Sequence, residues 1–343
     1  MTITAETLDR SRELVAPALR QAVERLDPST RLVVSYHLGW SDEHGTPTDS
    51  NPGKTLRPAL ALLAAEAVTG RPEPGLPGAV AVELVHNFSL LHDDLMDRDT
   101  ERRHRKTVWA LWGDATAVLA GDALLSLAHE VLTDGDSPYG QAAGQALAVA
   151  TRELIRGQVQ DLAFERRDDV TLDECLDMAA GKTGALLAVS ATMGAILAGA
   201  PEPLVSALSR FGAQLGMAFQ LVDDVLGIWG APTVTGKPVY SDLIARKKTL
   251  PVTWSLDHGG DAGRELAAWL SRDNWRPQDG GPTEDELRYA ARLIERAGGR
   301  DWAVGEAHDR INLAEEALDD AGLDPVVRRR LGEVARFVIE RQS

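Results

Sequence analysis

Two aspartate-rich stretches, 130 residues apart from Asp93 to Asp223, constrain this chain more than any other feature. The first is LLHDDLMDRD, with Asp93, Asp94 and Asp97; the second is FQLVDDVLG, with Asp223 and Asp224. Each follows an apolar run that would otherwise build a buried helix. An unpaired carboxylate in such a place costs several kcal/mol or more, on the order of a whole domain's net stability. Paired acids in apolar helices therefore call for partners, and hard divalent cations with oxygen ligands suit them. That chemistry points toward phosphate-bearing substrates.

The rest of the chain favours helices. Apolar residues recur with helical period, and Gly, Pro, Asp and Ser cluster at Ser41–Gly53, Thr133–Gly140, Gly230–Pro238 and Arg276–Pro282. Thr171 with Glu174 and Thr283 with Glu286 have the spacing of capping boxes. The expectation is an all-α, single-domain bundle over 1–343, with about ten or more helices and no convincing strand. Its motif-bearing core would run from 53 to 251, and 252–343 would form a packing or assembly layer. Gly184–Ala200 has no charge across 17 residues, yet its Gly, Ala, Ser and Thr content favours a buried helix over a membrane span.

With 36 Lys and Arg against 52 Asp and Glu, the formal charge is 36 − 52 = −16, which argues against a nucleic-acid partner. An anionic substrate would need cations or a local basic cluster. The single cysteine, Cys175, rules out an internal disulfide and fits a reducing compartment, and the N-terminus has no apolar signal core. A cytoplasmic protein is expected.

Several polar groups surround the acids. A helix over 79–98 would place His86, Asp93 and Asp97 on one stripe. Asp93 and Asp97 repel unless a cation lies between them; the alternative is a solvated helix end. ERRHRK follows, with Arg102, Arg103 and Arg105, as a surface turn or a clamp for diphosphate. Gln220 lies three residues before Asp223, on the same helix face. Lys54 and Arg57 in GKTLRP could converge on one anion, whereas Lys182 and Thr183 in AGKTGA lack the spacing of a nucleotide-binding loop. Lys237 in TGKP and the pair Lys247 and Lys248 come after the second acids.

In order, GKTLRP, ELVHNFSLLHDDLMD, RR, KTG, FQLVDD, GKP and KKTLP resemble the trans-isoprenyl diphosphate synthases from Gly53 to Pro251. The resemblance implies helices around a central cavity, homodimers, and up to three Mg²⁺ ions held by aspartate motifs that face each other. Asp93, Asp97 and Asp223 would bind Mg²⁺ directly, with Asp94 and Asp224 in support. Arg102, Lys182, Lys237 and Lys247 would hold the allylic diphosphate. Lys54, Arg57, His86 and Arg103 would hold isopentenyl diphosphate. Thr183 and Gln220 would line the place where the allylic cation forms. Three positions depart from the family pattern: Gly227 and Ala231 where Asp is usual, and Lys106 where Pro is common. Phe88, five residues before Asp93, resembles a chain-length ruler. With no two-residue insertion in the first motif, the resemblance implies a twenty-carbon geranylgeranyl product, with fifteen-carbon farnesyl next. A class I terpene cyclase and a non-catalytic regulatory subunit are the alternatives on the same scaffold.

Overall fold

A computed structural model describes residues 3–48, 55–134, 137–232, 238–271, 281–319 and 321–340. The chain adopts the expected all-α fold. Its helices are α1 (Ile3–Val23), α2 (Pro28–His37), α3 (Leu56–Thr69), α4 (Leu76–Met96), α5 (Val108–Trp112), α6 (Asp114–Thr133), α7 (Gly140–Phe164) and α8 (Leu172–Ala179). A π-helical turn, Ala180–Gly184, joins α8 to α9 (Ala185–Leu197). Then come α10 (Glu202–Trp229), α11 (Ser241–Ile244), α12 (Leu250–His258), α13 (Gly260–Leu270), α14 (Glu284–Ala297), α15 (Gly299–Asp319) and α16 (Pro325–Ile339).

Local chemistry sets many of these boundaries. The Asp27 carboxylate caps α2 by accepting from the Ser29 and Thr30 amides, and Pro28 occupies the first turn, where no amide donor is needed. Both expected capping boxes are formed, Thr171 with Glu174 on α8 and Thr283 with Glu286 on α14. Gly298 ends α14 in the left-handed region that an L side chain adopts only with strain. The helix read from the sequence over 79–98 starts earlier and stops at Met96, and Arg98 has left the helix with φ 56°. ERRHRK forms a two-stranded hairpin, β1 (Glu101–Arg102) and β2 (Arg105–Lys106), too short to show an alternating pattern.

The residues group into two compact units. In the first (1–151, 186–212 and 317–334), small residues let helices approach closely. A Cβ at Gly78 of α4 would strike Met193 of α9, and one at Gly194 would strike the α3 backbone at Ala61. Leu60, Ala61, Ala64, Val82 and Val85 are sealed there. In the second (152–185, 213–316 and 335–343), Ile228, Leu243, Val252, Leu266, Trp269, Leu287 and Ile294 form one apolar cluster. The motif-free stretch after Pro251 thus supplies core that anchors the end of α10 and all of α11. Cys175 is fully buried, with its thiol donating to the Lys248 carbonyl at 3.0 Å.

Two helical stretches, Asp114–Thr133 and Leu172–Leu197, are long and apolar enough to cross a membrane. In the second, 67% of the apolar window is buried inside the protein, the pattern of a core helix.

Candidate active site

The first aspartate motif lies at the C-terminal end of α4. Asp93 and Asp97 sit on successive turns, both partly exposed, and Asp97 is the residue on which the helix ends. Asp94 points inward and is 2% exposed. Its Oδ1 accepts from Arg102 Nε at 2.7 Å. Burial nevertheless outweighs the arginine and pushes the carboxyl up to about 6.

The hairpin after α4 aims the arginines. Its two turn residues, Arg103 and His104, have φ of 52° and 61°, the geometry of a tight two-residue turn that usually needs Asn or Gly. Holding L side chains there costs strain on the order of 1–3 kcal/mol per residue, and such strain clusters at functional sites. Arg105 fixes the hairpin instead of facing a ligand. It donates to the carbonyls of Tyr36 (3.1 Å) and Ser41 (2.7 Å), and its guanidinium lies 4.1 Å from the Tyr36 ring centroid.

His86 lies two turns before Asp93. Burial first, then the charges of Arg57, Arg103 and Arg102, hold its imidazole well below the ordinary range, so it is neutral near pH 7. Three of the four residues expected to hold isopentenyl diphosphate, Arg57, His86 and Arg103, are thus electrostatic neighbours. Lys54, the fourth, lies outside the described residues, as does Lys237. Sequence reasoning missed the companions of this group. Asn87 donates to Glu83 Oε1 at 3.2 Å, and burial raises the Glu83 carboxyl against the pull of Arg57. His37, pushed down to about 3 by burial and by Arg102 and Arg103, lines a cavity of about 170 Å³ with Asn87, Asp94, Arg102 and Arg103.

The second motif is built as a relay. Thr183 Oγ1 donates to Gln220 Oε1 at 2.5 Å, and Gln220 Nε2 donates to Asp224 Oδ1 at 2.7 Å. The Leu250 amide donates to Asp224 Oδ2 at 2.8 Å. Thr183, Gln220 and Asp224, singled out separately in the sequence, are therefore one connected network. Asp224 is 6% exposed, and burial, then the Asp242 charge, pushes its carboxyl up to about 7. Asp223, one residue earlier, is partly exposed. Lys182, beside Thr183 on the π-helical turn, gives its ammonium to Asp161 Oδ2 at 2.5 Å. Lys247 is partly exposed, and its amide donates to the Asp242 carbonyl at 2.9 Å.

Gly227, where the family pattern has an acid, lies directly under a neighbouring carboxylate. A Cβ there would run into the Asp242 carboxylate, which lies against the bare helix backbone. Asp161 and Asp242 were both missed because a lone acid in a helical stretch gives no pattern of its own.

Among the described residues, no three His, Cys, Asp or Glu side chains converge into a ready-made metal cage. That suits Mg²⁺, which keeps most of its waters and takes one or two carboxylates together with substrate phosphate oxygens. Asp93 and Asp97 in the first unit, and Asp223 in the second, are each partly exposed oxygen donors of the kind such an ion takes.

Residues 42–279 match the model of the polyprenyl synthetase family. The chain is 58% identical to a (2E,6E)-farnesyl diphosphate synthase of Mycobacterium tuberculosis, over 99% of this chain and 94% of that protein. It is 42% identical to a geranylgeranyl diphosphate synthase of the same species, over 93% and 89%. Among solved structures it resembles a polyprenyl synthetase from Streptomyces coelicolor A3(2), with TM-score 0.94, 50% identity, and coverage of 98% of this chain and 99% of that one. This chain belongs to the polyprenyl synthetase family, the trans-isoprenyl diphosphate synthases that its seven motifs resemble.

Proposed function

We propose that this chain joins isopentenyl diphosphate to an allylic diphosphate in a Mg²⁺-dependent reaction. The observation that carries this reading is the grouping of Arg57 and Arg103 around the neutral His86. A cyclase, which handles one diphosphate, has no use for a second basic cluster, and a regulatory subunit has no use for intact acids at Asp93 and Asp97.

Arg102, Lys182, Lys237 and Lys247 hold the allylic diphosphate while its carbon–oxygen bond breaks and the electron pair leaves with the diphosphate. Asp93, Asp97 and Asp223 would hold Mg²⁺, which when bound would supply positive charge to stabilise the departing diphosphate. Thr183, whose proton is committed to Gln220, offers oxygen lone pairs to the allylic cation. Arg57, His86, Arg103 and Lys54 orient isopentenyl diphosphate so that its double bond forms the new carbon–carbon bond. The proton released passes to the departing diphosphate. We place the enzyme in the cytoplasm as a homodimer; the exposed apolar side chain of Leu119 on α6, at 65%, supports a surface for a second copy. A one-chain mass in sedimentation would refute that assembly.

The product is the fifteen-carbon farnesyl diphosphate. This reverses the order implied by the sequence resemblance, and it rests on 58% identity to a farnesyl synthase against 42% to a geranylgeranyl synthase. Phe88 favours a short product under either reading. It is 5% exposed and packs edge-on against His92, with ring centroids 4.8 Å apart. Incubation with Mg²⁺, isopentenyl diphosphate and dimethylallyl, geranyl or farnesyl diphosphate tests the whole proposal. Elongation that stops at fifteen carbons is expected, and Phe88→Ala lengthens the product. Hydrocarbon products would establish a cyclase, no turnover a regulatory subunit, and twenty carbons the longer product.

A further inference from the structure

Lysine is a poor clamp when left to itself, because its long stem samples many rotamers before the ammonium meets a phosphate. Lys182 is held at both ends by one face of α7. A Cβ at Gly157 would strike the Lys182 backbone amide, so the missing side chain is what lets the π-helical turn lie against α7. One turn further along the same face, Asp161 takes the ammonium at 2.5 Å. Gly181 tightens the same seam, since a Cβ there would lie 2.9 Å from the Glu153 carbonyl oxygen. Just upstream, Arg156 bonds both oxygens of Asp177 on α8, at 2.5 and 3.2 Å, and Gln160 adds a third contact to that carboxylate at 2.9 Å. The turn is therefore braced immediately before it begins and again at Lys182.

We propose that Asp161 is a positioning residue, which acts through Lys182 to place its ammonium for the allylic diphosphate. An ammonium has three donors; the carboxylate takes one and leaves two for phosphate oxygens. Asp161 also lowers the net charge presented to the ligand, and pre-organisation outweighs that loss. The inference rests on the reading of Lys182 as an allylic-diphosphate ligand.

Asp161→Asn, Asp161→Glu, Lys182→Met and the double variant Asp161→Asn/Lys182→Met decide it. Asp161→Asn should raise the KM for the allylic diphosphate about tenfold and leave the KM for isopentenyl diphosphate unchanged. Asp161→Glu should recover most of that loss. In the Lys182→Met background, Asp161→Asn should add less than about twofold, because a residue acting only through Lys182 has nothing left to act on. An equal penalty in both backgrounds would overturn the proposal, as would a parallel rise in both KM values or unchanged kinetics. Titration calorimetry with Mg²⁺ and inorganic diphosphate needs no turnover and reads the same cycle. Weaker binding in Asp161→Asn that disappears in the Lys182→Met background supports the brace. Tighter binding would make Asp161 a competitor of the ligand and sink the proposal. Failure of the wild-type chain to elongate would remove the functional reading while leaving this binding cycle decisive.

Discussion

Asp94 and Asp224 are both buried, at 2% and 6% exposure, yet different chemistry compensates them. Asp94 is met by a charge, the Arg102 guanidinium at 2.7 Å. Asp224 is met by neutral donors, the Gln220 amide and the Leu250 backbone, which satisfy both oxygens without cancelling their charge. Burial raises both carboxyls, to about 6 in Asp94 against the pull of Arg102 and to about 7 in Asp224, where the Asp242 charge adds to burial. In each motif the inner acid is tied into the scaffold while its neighbour, Asp93 or Asp223, is partly exposed, and the proposed function gives the ligand role to that outer acid. The same paired acids in sequence thus divide into one buried and one partly exposed member in both places, and the proposal assigns the structural role to the first and the chemical role to the second.

The outer acids offer the harshest test of that division. Asp93→Ala and Asp223→Ala should each lower kcat by about 10²–10³, the loss typical when a group opposing developing charge is removed. Thermal stability should barely move, because neither side chain is buried. Unfolding at a much lower temperature would show that the outer acids carry structure as well, and the division would fail.

The inner acids should behave in the opposite way. The folded value of Asp224, about 7, lies above its ordinary 3.8. The folded protein therefore holds this proton more tightly than the unfolded chain does. Its contribution disfavours folding progressively as pH rises from 3.8 toward 7, and it vanishes in more acidic solution. Asp224→Asn can re-phase the relay: the Leu250 amide donates to the new carbonyl, the new amide to Gln220, and Gln220 to Thr183. Metal-free Asp224→Asn should therefore gain on the order of 2 kcal/mol at pH 8, and less at pH 5. Asp94→Asn should gain less, since it strips Arg102 of its charged partner beside Arg103. Urea midpoints in chelator check both, and a less stable Asp224→Asn at pH 8 would refute the account. Activity should fall in each variant, because the neighbouring outer acid loses its anchor.

Much of this was legible before any coordinates. Helical period gave the fold class, and the capping boxes at Thr171 and Thr283 fell where their spacing put them. Acids interrupting apolar runs marked both motifs, because burying charge is costly enough to leave a visible exception. Three things had no local signature. The hairpin at 101–106 is shorter than any period. Asp161 reaches Lys182 across 21 positions, and Asp242 lies 15 residues beyond Gly227, so only the fold brings either pair together. The third concerns His37, whose neighbours Asn87, Arg102 and Arg103 are supplied by other elements.

Gly227 tests the mildest consequence of the comparison, that the second motif has given one acid position to a neighbouring element. Asp242 is placed firmly: Ser241 Oγ donates to the Gly227 carbonyl at 3.1 Å, and the Tyr240 amide donates to the Ile228 carbonyl at 3.1 Å. Leu243, next in the chain, is locked in the core of its unit. The α11 backbone at Asp242 is therefore fixed against α10, and room at residue 227 has to come from rotation of the Asp242 side chain. Gly227→Asp, which would restore the usual family acid, should destabilise the protein by about 1–3 kcal/mol, the range for forcing atoms into a filled space. That penalty should exceed the gain of less than about 1 kcal/mol from replacing a helical glycine. Asp242→Ala in the same chain removes the obstructing carboxylate, so the double variant should regain most of the loss in urea midpoint. If Gly227→Asp alone is as stable as the wild type, Asp242 moves freely and the glycine has no steric reason. If the double variant is no better than the single one, the strain lies in the helix backbone at 227 and not in the neighbouring acid.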